Sequence, residues 1–203
     1  MEAEKTTKPE QTTFSRKYCD RRSREYLLES EVESVISAAK KSRHGLRNST
    51  LILLSYRHGL RVSEAINLKW EDLDLILGTI HINRLKRGKS GRHPLKKVEI
   101  IALNRLRKQA TKESRYVFTS QLGLPLSDRS CEKMIENAGI VASLPFPIHP
   151  HMLRHSCGYT LANQGIDTRA IAEYLGHTSL NNAYRYTAIA PGRFEDFWSD
   201  YYS

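Results

Sequence analysis

The clearest strand pattern in this chain is Gly78-Thr79-Ile80-His81-Ile82-Asn83, a β-branched stretch that alternates with a period of two. A Gly-, Lys- and Arg-rich turn follows it, and then Val98-Glu99-Ile100, which predicts a small antiparallel sheet with a basic hairpin tip. Lys86, Arg87, Lys89 and Arg92 project from that turn. A further short strand is read at Tyr116-Val117-Phe118. Most of the remaining periodicity is helical, so the chain is constrained to an α+β, mainly α fold in which one small sheet serves a helical core.

The helices are punctuated by caps and glycines. Ser30-x-x-Glu33 reads as a capping box, followed by Val32, Val35, Ile36 and Ala39 at helical spacing. A mostly apolar helix over 48–58 must stop at Gly59, and Ser63 can cap a short helix over 64–68, leaving Arg61 in the turn between. Further helices are predicted over 103–111, over 127–137 with Gly139 as its end, over 151–163 closed by Gly165, and over 168–175 closed by Gly176. Pro145 and Pro147 keep the connection before the 151–163 helix extended. No internal repeat is visible.

With 203 residues and 39% apolar content, the chain has room for a single core plus tails. Its charge of +10 and pI near 9.6 point to a polyanionic partner, because each phosphate neutralised releases counterions. Residues 1–26, with Arg16, Lys17, Arg21, Arg22 and Arg24, read as a flexible basic arm; a solvated tail with no role is the alternative. Cys19, Cys131 and Cys157 are unclustered and lack Cys-x-x-Cys spacing, so neither a disulfide framework nor a zinc site is indicated, and a reducing cytoplasm fits. No long apolar run offers a membrane span, and the polar, charged start carries no apolar core of a secretory signal. Near the end, Phe194, Phe197, Trp198 and Tyr201 recur at helical spacing and form an aromatic stripe over 191–203 that must be buried, on a neighbouring protomer or on its own domain.

The chemistry-bearing residues are a set of cations and one tyrosine without an acidic metal cage: Gly59-Leu60-Arg61-Val62-Ser63-Glu64, His151-Met152-Leu153-Arg154-His155, Leu175-Gly176-His177 and Tyr186. Transfer at a phosphodiester spreads negative charge over the non-bridging oxygens, and planar, permanently charged guanidinium is the donor best suited to it. His151 and Arg154 are three apart and share a helical face. A phenol titrates near 10 in water, and neighbouring cations favour the phenolate. Tyr184 competes for the nucleophile position but reads as half-buried packing.

In order and spacing, these motifs resemble the tyrosine recombinase (phage integrase) family over roughly residues 27–190. They are closest to the small DNA invertases of fimbrial switches, through His149-Pro150-His151-Met152-Leu153-Arg154-His155-Ser156-Cys157-Gly158 and Arg84-Leu85-Lys86-Arg87-Gly88. The resemblance implies that Arg61 and Arg154 bind the scissile phosphate, that His151 accepts the proton of the attacking phenol, and that His177 donates to a non-bridging oxygen. The resemblance also implies that Tyr186, nine residues after His177, is the nucleophile of a 3′-phosphotyrosine, and that Lys86 protonates the leaving oxygen, with Lys89 as the alternative. His155 reads as a structural group of the core with no catalytic role, and Glu64 either orients Arg61 or serves only the helix dipole near the N-terminus. Arg21, Arg22, Arg24, Arg87, Lys89 and Arg92 are read as DNA-binding, with no metal and no cofactor. The family usually places a helical domain ahead of the catalytic one, and here a short arm stands in its place. The implied activity is recombination at inverted repeats in duplex DNA by a homotetramer assisted by DNA-bending accessory proteins, in the cytoplasm and at the nucleoid, inverting a fimbrial promoter segment. A mobile-element integrase and an inactive DNA-binding regulator are the alternatives.

Overall fold

A computed structural model describes residues 24–84, 88–109 and 114–188. Helices α1 (Glu29–Lys40), α2 (Gly45–Arg57) and α3 (Val62–Ile66) are followed by a sheet of three short strands, β1 (Leu73–Asp74), β2 (Thr79–Ile82) and β3 (Gly91–Pro94). Then come α4 (Lys97–Gln109), α5 (Asp128–Val141), α6 (Pro150–Asn163), α7 (Thr168–Leu175) and α8 (Asn181–Ala188). The sheet is antiparallel in the order β1-β2-β3, with Ile80 opposite His93 and Ile82 opposite Gly91. The mainly helical α+β class is therefore observed.

Helix α2 is the axis of the core: Leu51, Ile52 and Leu54 are fully buried, and α1, α4 and α6 pack around it. Each such side chain contributes roughly 1.5–3 kcal/mol of hydrophobic stabilisation. A second, smaller apolar cluster joins α6, α7 and α8 through Cys157, Ala162, Ile171, Ala172, Leu175, Ala183 and Tyr186. The buried side chains of Arg84 and Arg154 bridge the two clusters, bonding to carbonyls at the end of α2 and at the end of α7.

Several local readings are corrected by longer-range partners. Helix α1 begins one residue before Ser30, and its cap is Glu31, whose carboxylate accepts the Leu28 N–H at 2.8 Å. Ser63 lies inside α3, which is capped by Arg61 and Glu64. Val98-Glu99-Ile100 is the first turn of α4 and not a strand: Glu99 accepts the Lys96 N–H at 2.7 Å and its buried carboxylate faces His58 Nε2 at 3.0 Å. The third strand lies earlier, at Gly91–Pro94. Gly139 does not end α5; the helix runs on to Val141, and a Cβ at 139 would stand 2.6 Å from the Ile148 side chain, so glycine is there for close approach. The Tyr116 stretch forms a single bridge with Lys69.

The end of the basic arm is tied down. Leu27 is buried and its N–H donates to Ser156 Oγ of α6 at 2.7 Å, while Tyr26 packs on Tyr159 with ring centroids 3.9 Å apart. The rest of the arm and the 191–203 stripe lie outside the described residues.

Candidate active site

Helix α2 ends where Gly59 takes φ +57°, a backbone conformation that glycine adopts without steric cost. The chain then enters α3 with Arg61 at the N-cap, in extended conformation. Glu64, one turn on, accepts the Arg61 N–H at 2.9 Å through Oε2 and the Arg61 guanidinium at 2.6 Å through Oε1. Arg61 is thus aimed by a clamp on both its backbone and its side chain, and it stays partly exposed.

Glu64 is shared with a residue whose role the sequence reading missed. Arg84, at the end of β2 and fully buried, donates through Nη1 to Glu64 Oε2 at 2.7 Å and to the Gly59 carbonyl at 3.1 Å. Its Nη2 donates to the carbonyls of His58 at 3.0 Å and Tyr174 at 2.8 Å. Arg154 of α6 donates to that same Gly59 carbonyl through Nη1 and to the Leu175 carbonyl at 2.7 Å through Nη2. The carbonyl ends of α2 and α7, the negative poles of their helix dipoles, therefore hold two buried guanidiniums in place.

Three guanidiniums (Arg61, Arg84, Arg154) gather around one carboxylate, so the cluster has an excess of positive charge that an anion would neutralise. Burial, then the proximity of Arg84 and Arg61, pushes the Arg154 guanidinium down to about 10. Burial alone would raise the Glu64 carboxyl, but Arg84 and Arg61 hold it below its ordinary value. Such an arrangement can cradle a phosphate, with its donors fixed in advance.

The histidines and the tyrosine line this cradle. Pro150 at the first position of α6 places His151 and Arg154 on one face, with His151 exposed. His177 follows α7 directly, its turn closed by Gly176 at φ +65°, and its buried Nδ1 has no hydrogen-bond partner among the described residues. Burial, then Arg154, Arg61 and Arg84, hold the His177 imidazole down at about 4. His151 is likewise lowered by burial and by Arg154 and Arg61.

Tyr186 of α8 is 1% exposed. Its ring lies edge-on to Tyr159 and nearly parallel to His177, with centroids 5.1 and 6.3 Å away. A Cβ on Gly158 would stand 2.6–2.7 Å from three of its ring carbons, so glycine at 158 makes the seat for this ring. Its hydroxyl meets His155 Nδ1 at 3.0 Å. Tyr184, the competitor two residues earlier, is 55% exposed. One expectation changes here. The cations do not win at the phenol: burial raises Tyr186 above its ordinary value despite Arg154 and Arg185, so the DNA-free site holds a neutral phenol.

The structure brings Arg61, His151, Arg154, His177 and Tyr186 to one place. Lys86, Arg87, Arg21 and Arg22 lie outside the described residues. Lys89 and Arg92 are exposed on the hairpin, and the Lys89 carbonyl sits 2.9 Å from where a Cβ on Gly176 would be, so this arm of the hairpin abuts the His177 turn. Arg24 is engaged within the protein, bonded to Glu31 and set over the Tyr26 and Phe146 rings.

A pH dependence follows. His155 and His177 are both held at about 4 in the fold, against an ordinary 6.5, so between these values the unfolded chain binds more protons than the folded one. The stability of the DNA-free protein should therefore rise with pH across roughly 4 to 6.5 and be lost as pH falls through that window. Glu64 and Glu99, which burial would raise but whose partners hold them below 4.5, act at lower pH. Thermal transitions measured from pH 7.5 to 5 should fall steadily; a flat profile would show that these imidazoles are not desolvated.

Residues 25–193 match the phage integrase family. The type 1 fimbriae regulatory protein FimB of Escherichia coli (strain K12) is 45% identical over 183 residues, covering 88% of this chain and 92% of FimB. FimE of the same strain is 42% identical over 180 residues, covering 86% and 91%. Among solved structures, XerA recombinase superposes with a TM-score of 0.73 at 26% identity, covering 88% of this chain and 65% of XerA. XerH site-specific recombinase bound to a palindromic difH substrate gives 0.72 at 28%, covering 85% of this chain and 52% of XerH. With the arginines, histidines and tyrosine of its motifs gathered at one cradle and the match running through nearly all of its described residues, this chain belongs to the phage integrase family of tyrosine recombinases.

Proposed function

We propose that this protein cuts and rejoins duplex DNA at short inverted repeats through a 3′-phosphotyrosine, and that its biological product is an inverted fimbrial promoter segment. The observation that carries the chemistry is the convergence of Arg61 and Arg154 on an electropositive cradle beside the buried Tyr186. The similarity to FimB and FimE over most of the chain supports the fimbrial reading.

Arg61 and Arg154 take the non-bridging oxygens, and His177, neutral near pH 7, donates its imidazole N–H to one of them. Tyr186 attacks phosphorus, the 5′-oxygen leaves, and Lys86 supplies the proton that this poor leaving group needs, with Lys89 of the same hairpin as the alternative. The phosphotyrosine conserves the energy of the broken bond, so no nucleotide cofactor is required to reseal the strand. Arg21, Arg22, Arg87, Lys89 and Arg92 contact backbone phosphates; Arg24 would join them only by giving up Glu31. Four protomers assemble the synapse, with the 191–203 segment docked on a neighbour and DNA-bending proteins assisting, in the cytoplasm at the nucleoid.

The test is incubation with end-labelled duplexes carrying candidate inverted repeats, followed by a plasmid with two such repeats. A denaturant-stable adduct and inversion of the intervening segment are expected. Sequence-specific binding without any adduct would replace this reading with a DNA-binding regulator, and excision or integration without inversion would replace it with a mobile-element integrase.

A further inference from the structure

We propose, on the basis of the recombinase reading above, that His155 takes the phenolic proton of Tyr186 as the nucleophile attacks, a task that the family resemblance gives to His151. Among the described residues, the hydrogen bond of the Tyr186 hydroxyl is to His155 Nδ1, at 3.0 Å. His151, one turn earlier on α6, is exposed and makes no hydrogen bond to the phenol among the described residues.

Geometry comes first for a general base, and here it is met before substrate binds. The two partners are anchored independently. His155 is fixed on α6, and Tyr186 is fixed on α8 by the Gly158 seat and the edge of Tyr159. The tautomer protonated on Nε2 leaves Nδ1 open to accept, and the imidazole is neutral at physiological pH because burial, then Arg185, His151 and Arg154, hold it down at about 4.

An imidazole so depressed is a weak base in the free protein, and the substrate corrects this. The groups that face it are Arg185 and Tyr186 from α8, His151 and Arg154 from α6, and Glu25 from the segment before α1; of these only Glu25 favours the imidazolium, apart from a Tyr186 that has lost its proton. A phosphodiester seated on Arg61 and Arg154 brings a negative charge that offsets the Arg154 part of the cationic field, so His155 is a stronger base with DNA in place than without it. The device ties proton transfer to a filled cradle.

In cleavage the Tyr186 Oη–P bond forms as the P–O5′ bond breaks, the Oη proton passes to His155 Nδ1, and the departing O5′ takes its proton from the hairpin lysine. In rejoining the 5′-hydroxyl gives its proton back to the hairpin lysine as its oxygen attacks, the P–O5′ bond forms as the Oη–P bond breaks, and His155 returns its proton to the phenol. The same group is base in one direction and acid in the other.

The experiment is single-turnover cleavage of a nicked suicide duplex by the full chain, as wild type, His155→Asn, His155→Ala and His151→Ala, from pH 6 to 10. Asparagine sets an amide near the Nδ1 position, so it keeps a hydrogen bond to the phenol but takes up no proton. Both His155 variants should bind duplex like wild type and cleave roughly 10²- to 10³-fold more slowly. Their rates should climb with pH while the wild-type rate stays flat above neutrality, and added imidazole should partly restore His155→Ala. His151→Ala should keep the wild-type profile shape. His155→Asn cleaving at the wild-type rate would reduce His155 to a positioning hydrogen bond, and a rising pH profile in His151→Ala alone would return the task to His151. A wild-type protein that forms no adduct on any inverted-repeat duplex would instead overturn the recombinase reading, and this assignment with it. If His155→Ala fails to fold, the asparagine variant still decides.

Discussion

Replacing Tyr186 with phenylalanine should leave duplex binding intact and reduce the covalent protein–DNA adduct below detection. The substitution removes one oxygen while the ring, which fills the Gly158 seat and lies against Tyr159 and His177, stays in place. The lost hydrogen bond to His155 costs about 1 kcal/mol of stability, so the variant folds. Binding survives because Arg61 and Arg154, the proposed phosphate donors, are held by Glu64, Gly59 and Leu175 and owe nothing to the phenol. Tyr184→Phe is the matched control: Tyr184 is 55% exposed on the same helix, and its variant should form adduct like wild type. The readout is a denaturing gel of end-labelled duplex, with the modified peptide identified by mass. An adduct that persists in Tyr186→Phe, or that maps to Tyr184, would sink the assignment.

That Arg61, Arg154 and Tyr186 belong to one site is legible because their signals are local. Gly-Leu-Arg-Val-Ser-Glu carries both Arg61 and the Glu64 that clamps it, and α7 with its glycine stop was read at its observed ends because its start and stop lie within a few residues of one another. What was not legible depends on partners far along the chain. Arg84 enters the sequence reading only as the first residue of Arg84-Leu85-Lys86-Arg87-Gly88, yet its partners are Glu64, the Gly59 and His58 carbonyls and the Tyr174 carbonyl, 20 to 90 residues away. His155 was set aside as a core group, and only the fold of α8 against α6 brings Tyr186 to it, across 31 residues. Val98-Glu99-Ile100 was misread for a related reason: β-branched residues argued for a strand, while the Glu99 cap on Lys96 and the burial of that carboxylate beside His58 decided for a helix. The phenol's protonation also followed burial and not charge count, and burial is a property of the assembled fold.

Arg84→Met should produce the largest loss of stability among single substitutions at the site. Arg84 and Glu64 are both about 1% exposed and joined at 2.7 Å, so the variant leaves a buried carboxylate paired only with Arg61. Breaking a buried pair by removing one partner typically costs 3–5 kcal/mol, because the remaining charge cannot return to water. In a chain of this size that lowers the thermal transition by roughly 6–20 °C. The carbonyls of His58, Gly59 and Tyr174 also lose a donor, which loosens the ends of α2 and α7 against each other. Those ends carry Arg61 and His177, so cleavage should fall even at temperatures where the variant is folded. A second substitution separates the two effects: adding Glu64→Gln removes the stranded charge and should recover a good part of the stability, yet it also takes the ionic clamp from Arg61, so cleavage should stay low. Urea denaturation and single-turnover cleavage on the same preparations measure both. A single Arg84→Met variant with a transition within a few degrees of wild type would show that the guanidinium is dispensable to the cradle, and a double variant that recovers cleavage along with stability would show that Glu64 does not aim Arg61.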